Sequence, residues 1–204
     1  MQYPIIYEDI IQSSPEWDAI RRGKITASVF KTAIGKGEGR RKLMEALRDD
    51  RTGVIRPPGI ITGPMIRGTE LESEAREQYI THNGPGAREV GFVELNEYIG
   101  ASPDGLVGDD GMIEIKCPNY STHNDWRGDD KLPMTHRWQV YGGLWVTGRK
   151  WCDFISYDPR VTDYPYWSVR VARDEKMIAE VSVKITKFVD ELKAIMLKLS
   201  GPKF

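Results

Sequence analysis

Helical periodicity governs the first part of the chain and gives way, from residue 88 onward, to the shorter rhythm of strands. Ser14-Pro15-Glu16-Trp17 reads as a helix start, with Ser14 as N-cap, Pro15 at the first helical position and Glu16 in the first turn. Gly23 ends that helix, and Thr26 is expected to cap a second one running to about Gly35. Residues 36–42 (KGEGRRK) form a flexible basic stretch leading into a helix that ends near Asp50. Residues 51–63, rich in Gly and Pro, are expected to be a loop, followed by a helix over 64–80. Val90, Phe92 and Leu95 then suggest one strand, residues 98–102 another and residues 112–117 a third. Gly108-Asp109-Asp110-Gly111 is read as a hairpin turn joining the last two, because Asp-Gly tolerates positive φ. The polar stretch 119–133 is expected to be a long loop. A helix over 135–147 stops at Gly148, two strands follow at about 151–157 and 164–172, and a long amphipathic helix covers 174–199. This order predicts an α/β fold with a central mixed sheet flanked by helices, in one domain spanning 1–204.

Composition narrows the class without naming a function. At 204 residues the chain is large enough to bury most of its apolar surface in one core. Its longest apolar runs are only a few residues, so no membrane span is expected. The N-terminus lacks the basic region and apolar stretch of a secretory signal. With Cys117 and Cys152 as the only cysteines, a disulfide framework is not implied, and a cytoplasmic setting is expected. Three histidines and two cysteines leave little for a structural zinc site, and a four-iron cluster would need more thiolates than the chain has. The formal net charge of −1 means that any DNA-binding surface must be local, with acidic groups elsewhere balancing it.

The segment that carries chemistry is Ser102-Pro103-Asp104-Gly105-Leu106 followed by Ile113-Glu114-Ile115-Lys116-Cys117-Pro118. In a strand, residues two apart share a face, so Glu114 and Lys116 project together while Ile113 and Ile115 point into a core. The turn brings Asp104 back toward them. Asp104 and Glu114 offer the hard oxygen ligands that Mg²⁺ takes while keeping several of its waters. Lys116 is placed to position or activate an attacking water and to stabilise charge building at phosphorus. The competing reading is a surface ion pair between Glu114 and Lys116 on an exposed face. Upstream, Met65, Gly68, Ala75 and Tyr79 fall within about 60° of Glu72 on a helical wheel. Glu72 is thus the one acid on a largely apolar face, where it needs a metal, a bound water or a cation. Arg76, one turn on, is a structural candidate for that cation.

These pieces together resemble the lambda exonuclease family, also called YqaJ-type viral recombinases or phage-type alkaline exonucleases, within the PD-(D/E)xK nuclease superfamily. The resemblance runs through WDAIRRGKITAS (17–28), GTELESEAR (68–76), ASPDGL (101–106), IEIKCP (113–118), QVYGGLWVT (139–147), YDPR (157–160) and Arg173-Asp174-Glu175-Lys176, in that order. It implies the restriction-endonuclease-like core fold and a Mg²⁺-dependent 5′-to-3′ exonuclease on linear double-stranded DNA. One or two ions would act per site, with Mn²⁺ as a substitute. The family assembles as a ring-shaped homotrimer and exposes a 3′ single strand for recombination with a single-strand annealing protein as partner.

By the same resemblance Asp104 and Glu114 would be metal ligands, joined by the main-chain carbonyl of Ile115. Lys116 would activate the nucleophilic water, and Glu72 and Gln139 would orient water and the metal shell. Arg21, Ser28 and Ser102 match the positions that anchor the 5′-phosphate, and Met65 matches an apolar wedge between separating strands. Arg suits a phosphate because its guanidinium offers a charge-assisted fork. The 119–133 stretch departs from the lambda exonuclease sequence, as do His136 and Tyr141, which leaves contacts there untransferred. Two rivals stand beside this reading. One is a structure-specific endonuclease or junction resolvase using the same core, and the other is a non-catalytic DNA-binding protein built on a nuclease fold.

Overall fold

The apolar–polar alternation at residues 112–117 builds the middle strand of a five-stranded sheet, and the rest of the molecule is arranged on its two faces. The structure, a computed structural model, describes residues 4–54 and 62–200, apart from the side chains of residues 64, 65 and 200. Its first half runs β1 (Ile5–Tyr7), α1 (Pro15–Arg21), β2 (Ile25–Thr26), a 3-10 turn (Ala27–Val29), α2 (Phe30–Ile34), α3 (Glu38–Arg51) and α4 (Gly63–Asn83). Then come β3 (Ala87–Arg88), β4 (Phe92–Asn96), β5 (Ile99–Ala101), β6 (Gly105–Val107) and β7 (Gly111–Lys116). The chain continues with α5 (Tyr120–Asp129), α6 (Arg137–Thr147), β8 (Trp151–Tyr157), β9 (Tyr166–Ala172) and α7 (Glu175–Ser200).

The strands form two mixed sheets where one was expected. The larger has the order β3-β6-β7-β8-β9, with β7 and β8 parallel and the other pairs antiparallel. The smaller has the order β1-β4-β5-β2, with β2 and β5 parallel. On one face of the larger sheet, Ile113, Ile115, Ile155 and Tyr157 pack with Ala75 and Tyr79 of α4. On the other, Met112 and Phe154 join Val140 and Leu144 of α6 and Val181, Ile185 and Phe188 of α7. Since β7 is buried on both faces, Glu114 points into the side occupied by Met112, not toward solvent.

Several expectations change. The turn at 108–111 joins β6 to β7, because Gly105-Leu106-Val107 is itself a strand, while residues 99–101 belong to the other sheet. The left-handed residue of that turn is Gly108 (φ 51°). The expected helix capped by Thr26 is a short strand, a 3-10 turn and a five-residue helix; Thr26 Oγ1 bonds Ser28 Oγ at 3.0 Å instead of capping. Helix α3 starts at Glu38, so most of the basic stretch is helical. The stretch 119–133 is not a loop throughout: Asn119 caps α5 by accepting from Thr122 N at 2.9 Å. Its polar composition hid it, because α5 buries few groups, chiefly His123 between Ser156 Oγ (2.8 Å) and the Tyr164 carbonyl (2.9 Å). The Ser14 cap (3.2 Å from Trp17 N) and the stop at Gly148 (φ 71°) are as expected. The 55–61 part of the expected loop and the side chain of Met65 lie outside the described residues.

Helix α6 lies close to the sheet and to α2 because of two glycines. A Cβ at Gly142 would sit 2.5 Å from Phe30 Cδ2, and one at Gly143 would sit 2.7 Å from Met112 Cε. Gln139, one turn earlier, is thereby lowered onto Glu114. Gly142→Ala is expected to destabilise the protein by about 1–3 kcal/mol through overpacking against Phe30, read as a lower midpoint in urea denaturation. An unchanged midpoint would show that α6 does not need this close approach.

Candidate active site

The carboxylates stand where three elements converge. Asp104 follows β5 in the segment that leads into β6, and its backbone N–H donates to the Ile113 carbonyl at 3.2 Å. Its Oδ2 accepts from the backbone N–H of Ile115 at 2.5 Å, which fixes the carboxyl against β7. Glu114 is 3% exposed, so the surface ion-pair reading fails: Glu114 Oε1 accepts from both Lys116 Nζ and Gln139 Nε2 inside the protein. Gln139 comes from α6 and Lys116 from the same strand as Glu114.

Two clefts open on this group and share Asp104 and Lys116. The first, about 170 Å³, is lined by Glu114 and Gln139 together with Arg21, Ser28 and Ser102. Residues expected to hold a phosphate and residues expected to do chemistry thus line one cavity. The second, about 490 Å³, is lined by Gly68, Thr69, Glu72, Ile115, Trp126 and His136. Glu72 therefore faces the carboxylates from the opposite side to Arg21. It accepts from Arg76 Nη2 at 2.9 Å, the structural partner foreseen for it, and Arg76 also donates to the Asp104 carbonyl (3.2 Å) and to Glu89.

Electrostatics in the group follow from burial. Desolvation, with Asp104 adding repulsion against Lys116, pushes Glu114 up to about 7. Glu72 also reaches about 7, through burial and Asp104, with Arg76 and Lys116 opposing. Burial raises Asp104 against the pull of Lys116, the Ile115 N–H and Arg76. Burial pulls the Lys116 ammonium down, but Glu114, Asp104 and Glu72 outweigh it and hold the group above its ordinary range. Lys116 is therefore held as a cation. Burial also raises the Cys117 thiol at the second cleft to about 11, which excludes a thiolate there. Burial and Lys116 lower His136 to about 4, so its ring is neutral, set edge-on to Trp126 with centroids 5.2 Å apart.

A divalent cation fits this donor set. The buried Glu114 and the half-buried Asp104 supply hard oxygens, and one lysine leaves their charge only partly balanced. Among the described residues no cluster of three or more His, Cys, Asp or Glu side chains is arranged to cage a metal. Mg²⁺ needs no such cage, since it uses one or two carboxylates and keeps its waters.

A model of the YqaJ-like viral recombinase domain matches residues 16–150. The chain belongs to that family. It is an enzyme, a DNA-degrading nuclease, and nucleases of this kind generally use divalent metal ions. An alkaline exonuclease from Laribacter hongkongensis (LHK-Exo) is similar at 40% identity and a TM-score of 0.85, covering 91% of this chain and 96% of that one. The same protein in complex with dAMP matches equally. A phage-related exonuclease from Haemophilus somnus 129PT, at 16% identity and a TM-score of 0.69, covers 90% of this chain and 99% of that one and shares the fold. Curated proteins give no match. The fold is the PD-(D/E)xK-like α/β class, with helices flanking two mixed sheets. No helix among the described residues is long and apolar enough to cross a membrane.

Sequence reasoning gave no role to Gln12 or Trp17. Gln12 Nε2 donates to the carbonyls of Val90 (2.9 Å) and Pro103 (3.0 Å), which ties down the segment before Asp104. Nothing in the pattern around Gln12 signals this. Trp17 lies in a matching block but looks like a packing residue.

The raised Glu114 sets a stability test. Below its unfolded value near 4.5 the native carboxyl contributes fully; that contribution is lost as pH rises through about 7. Metal-free Glu114→Gln should therefore melt about 7 °C or more above the parent at pH 8, with the gap closing by pH 5. Melting curves in a chelator would read it; a gap independent of pH would show that Glu114 titrates normally.

Proposed function

We propose that this chain is a Mg²⁺-dependent 5′-to-3′ exonuclease, a single nuclease domain over 1–204 that degrades one strand of linear double-stranded DNA. The observation that carries this reading is the first cleft, where Arg21, Ser28 and Ser102 line the same cavity as Asp104, Glu114, Lys116 and Gln139. An end-dependent enzyme needs a terminal phosphate and a scissile phosphate recognised side by side. That LHK-Exo is seen with dAMP, a deoxynucleoside monophosphate, fits a cavity for one released nucleotide.

In this mechanism Asp104, Glu114 and the Ile115 carbonyl would hold Mg²⁺, or Mn²⁺ in its place, as one or two ions. When bound, the metal supplies Lewis acidity at the scissile phosphate and lowers the cost of the leaving 3′-oxygen. Arg21 grips the 5′-terminal phosphate by charge-assisted hydrogen bonds, with the hydroxyls of Ser28 and Ser102 beside it. The strand then crosses Asp104 and Lys116 into the second cleft. Lys116 donates to the phosphoryl oxygens and stabilises their charge as water attacks in line. Glu72, with a carboxyl that titrates near 7, holds that water and accepts its proton at the carboxylate. Gln139 keeps Glu114 oriented by donating to Oε1. Met65, on the helix that carries Glu72, would part the strands.

Family membership supports the wider setting: a homotrimeric ring encircling the duplex, a cytoplasmic site of action, and a single-strand annealing protein receiving the exposed 3′ strand. A structure-specific endonuclease or junction resolvase would share the carboxylates but has no use for a phosphate subsite at a 5′ end.

With end-labelled duplexes, 5′-phosphorylated linear DNA should be degraded with Mg²⁺ and spared in a chelator, while covalently closed circles stay intact; cutting of the circle would favour the endonuclease. Lys116→Ala should lower kcat by about 10²–10³ or more, and an active variant would contradict its role. Arg21→Ala should erase most of the preference for 5′-phosphoryl over 5′-hydroxyl ends.

A further inference from the structure

We infer that Trp17 is a positioning residue that builds the phosphate anchor, holding Arg21 with its ring face and Ser102 with its indole N–H. This rests on the reading of Arg21, Ser28 and Ser102 as the site of the 5′-phosphate.

Trp17 and Arg21 are four residues apart on α1 and share a face of the helix. The Arg21 guanidinium carbon lies 3.6 Å from the centroid of the Trp17 ring. That contact shields one face of the cation and limits its rotation. Arg21 Nε is buried and has no hydrogen-bond partner among the described residues. A guanidinium so held lines the first cleft with donor capacity left over, which a phosphate's paired oxygens would use.

The other end of the ring acts on Ser102. Trp17 Nε1 lies 2.9 Å from the Gly91 carbonyl and 3.1 Å from Ser102 Oγ. An indole nitrogen can only donate, so in this contact Ser102 Oγ is the acceptor. The hydroxyl proton of Ser102 is left to donate, and Ser102 borders the same cleft as Arg21. The Gly91 carbonyl pins the indole to the start of β4, while Gln12 holds both Val90 and Pro103 on either side of the pair. One side chain thus aims a cation and a hydroxyl into one cavity, and two substitutions separate the effects. Trp17→Phe keeps a ring for Arg21 and removes the N–H; Trp17→Leu removes both.

The measurement is the ratio of kcat/KM on 5′-phosphoryl against 5′-hydroxyl duplex ends, compared among the parent, Trp17→Phe, Trp17→Leu and Arg21→Ala. General loss of folded enzyme lowers both arms together and leaves the ratio alone. The ratio should fall about fivefold in Trp17→Phe, one hydrogen bond's worth, and about tenfold or more in Trp17→Leu as the cation loses its support too. If Trp17→Leu does not fold, Trp17→Phe decides the question. A ratio unchanged in the Trp17 variants but collapsed in Arg21→Ala would overturn the inference and leave the phosphate anchor standing. A ratio unchanged in Arg21→Ala would remove the anchor itself, and the inference with it.

Discussion

Burial of Glu114 on the core side of the middle strand is the constraint from which the rest of the site follows. A carboxylate that is 3% exposed loses its hydration and must be compensated inside the protein. Strand period puts Lys116 on the same face, two residues on, as the first compensation. The second is Gln139, which reaches Glu114 because Gly142 and Gly143 let α6 approach Phe30 and Met112. The third group, Asp104, adds negative charge and so works against the pair. Its carboxyl is nonetheless held in place by the Ile115 N–H. Two acids against one lysine leave a residual demand for positive charge, and a divalent cation is the group that meets it.

The same arithmetic makes sense of a chain with a net charge of −1 acting on a polyanion. Bulk attraction is absent, so recognition must be local. On the proposed reading it is divided by side. Arg21 and two hydroxyls face the first cleft, whereas Glu72 and a neutral His136 face the second, with Asp104 and Lys116 between. The carboxylates that line the phosphate cleft are the metal-binding pair, Asp104 and Glu114, while Asp18 acts on Arg21 from α1. Water is held where a carboxyl titrating near 7 can take a proton. Glu72 is kept from the first cleft by Arg76, which binds its carboxyl and the Asp104 carbonyl together.

How much of this was legible in the sequence depended on the range of the interaction. The β7 face was readable because period two is a local property, and the Ser14 cap and the Gly148 stop were readable for the same reason. The turn at 108–111 was seen but joined to the wrong strand, since Gly105-Leu106-Val107 is too short to show a pattern. Helix α5 was missed because its stabilising contacts, His123 to Ser156 and to the Tyr164 carbonyl, span 33 and 41 residues. That Glu114 is interior was not readable at all. An alternating strand looks the same whether its polar face meets solvent or a helix, and only the approach of α6 decides. The tryptophan under Arg21 shows the same limit, because a donor-only nitrogen 85 residues from its acceptor leaves no trace in local pattern.

The family match stops at residue 150, yet the chain beyond it packs against the site. Strand β8 pairs parallel with β7 and sets Phe154 beside Glu114 and Ser156 beside Lys116 in register. Pairing with β8 closes that edge of β7, while α4 covers one face and α6 and α7 the other, which is why Glu114 has no route to water. Phe154 closes the apolar side with Trp126 and His136 at centroid distances of 5.6 and 5.3 Å, so the wall of the second cleft is set from β8. Helix α7 then packs its apolar stripe, Val181, Ile185 and Phe188, into the core that α6 shares, holding α6 against the sheet. The residues that do the proposed chemistry lie within 16–150, and the burial that tunes them, begun by α4 and α6, is completed from 151–200. A nuclease site of this kind is therefore inseparable from its backing: loosening α6 or β8 would rehydrate Glu114, lower its proton affinity, and weaken its demand for the metal.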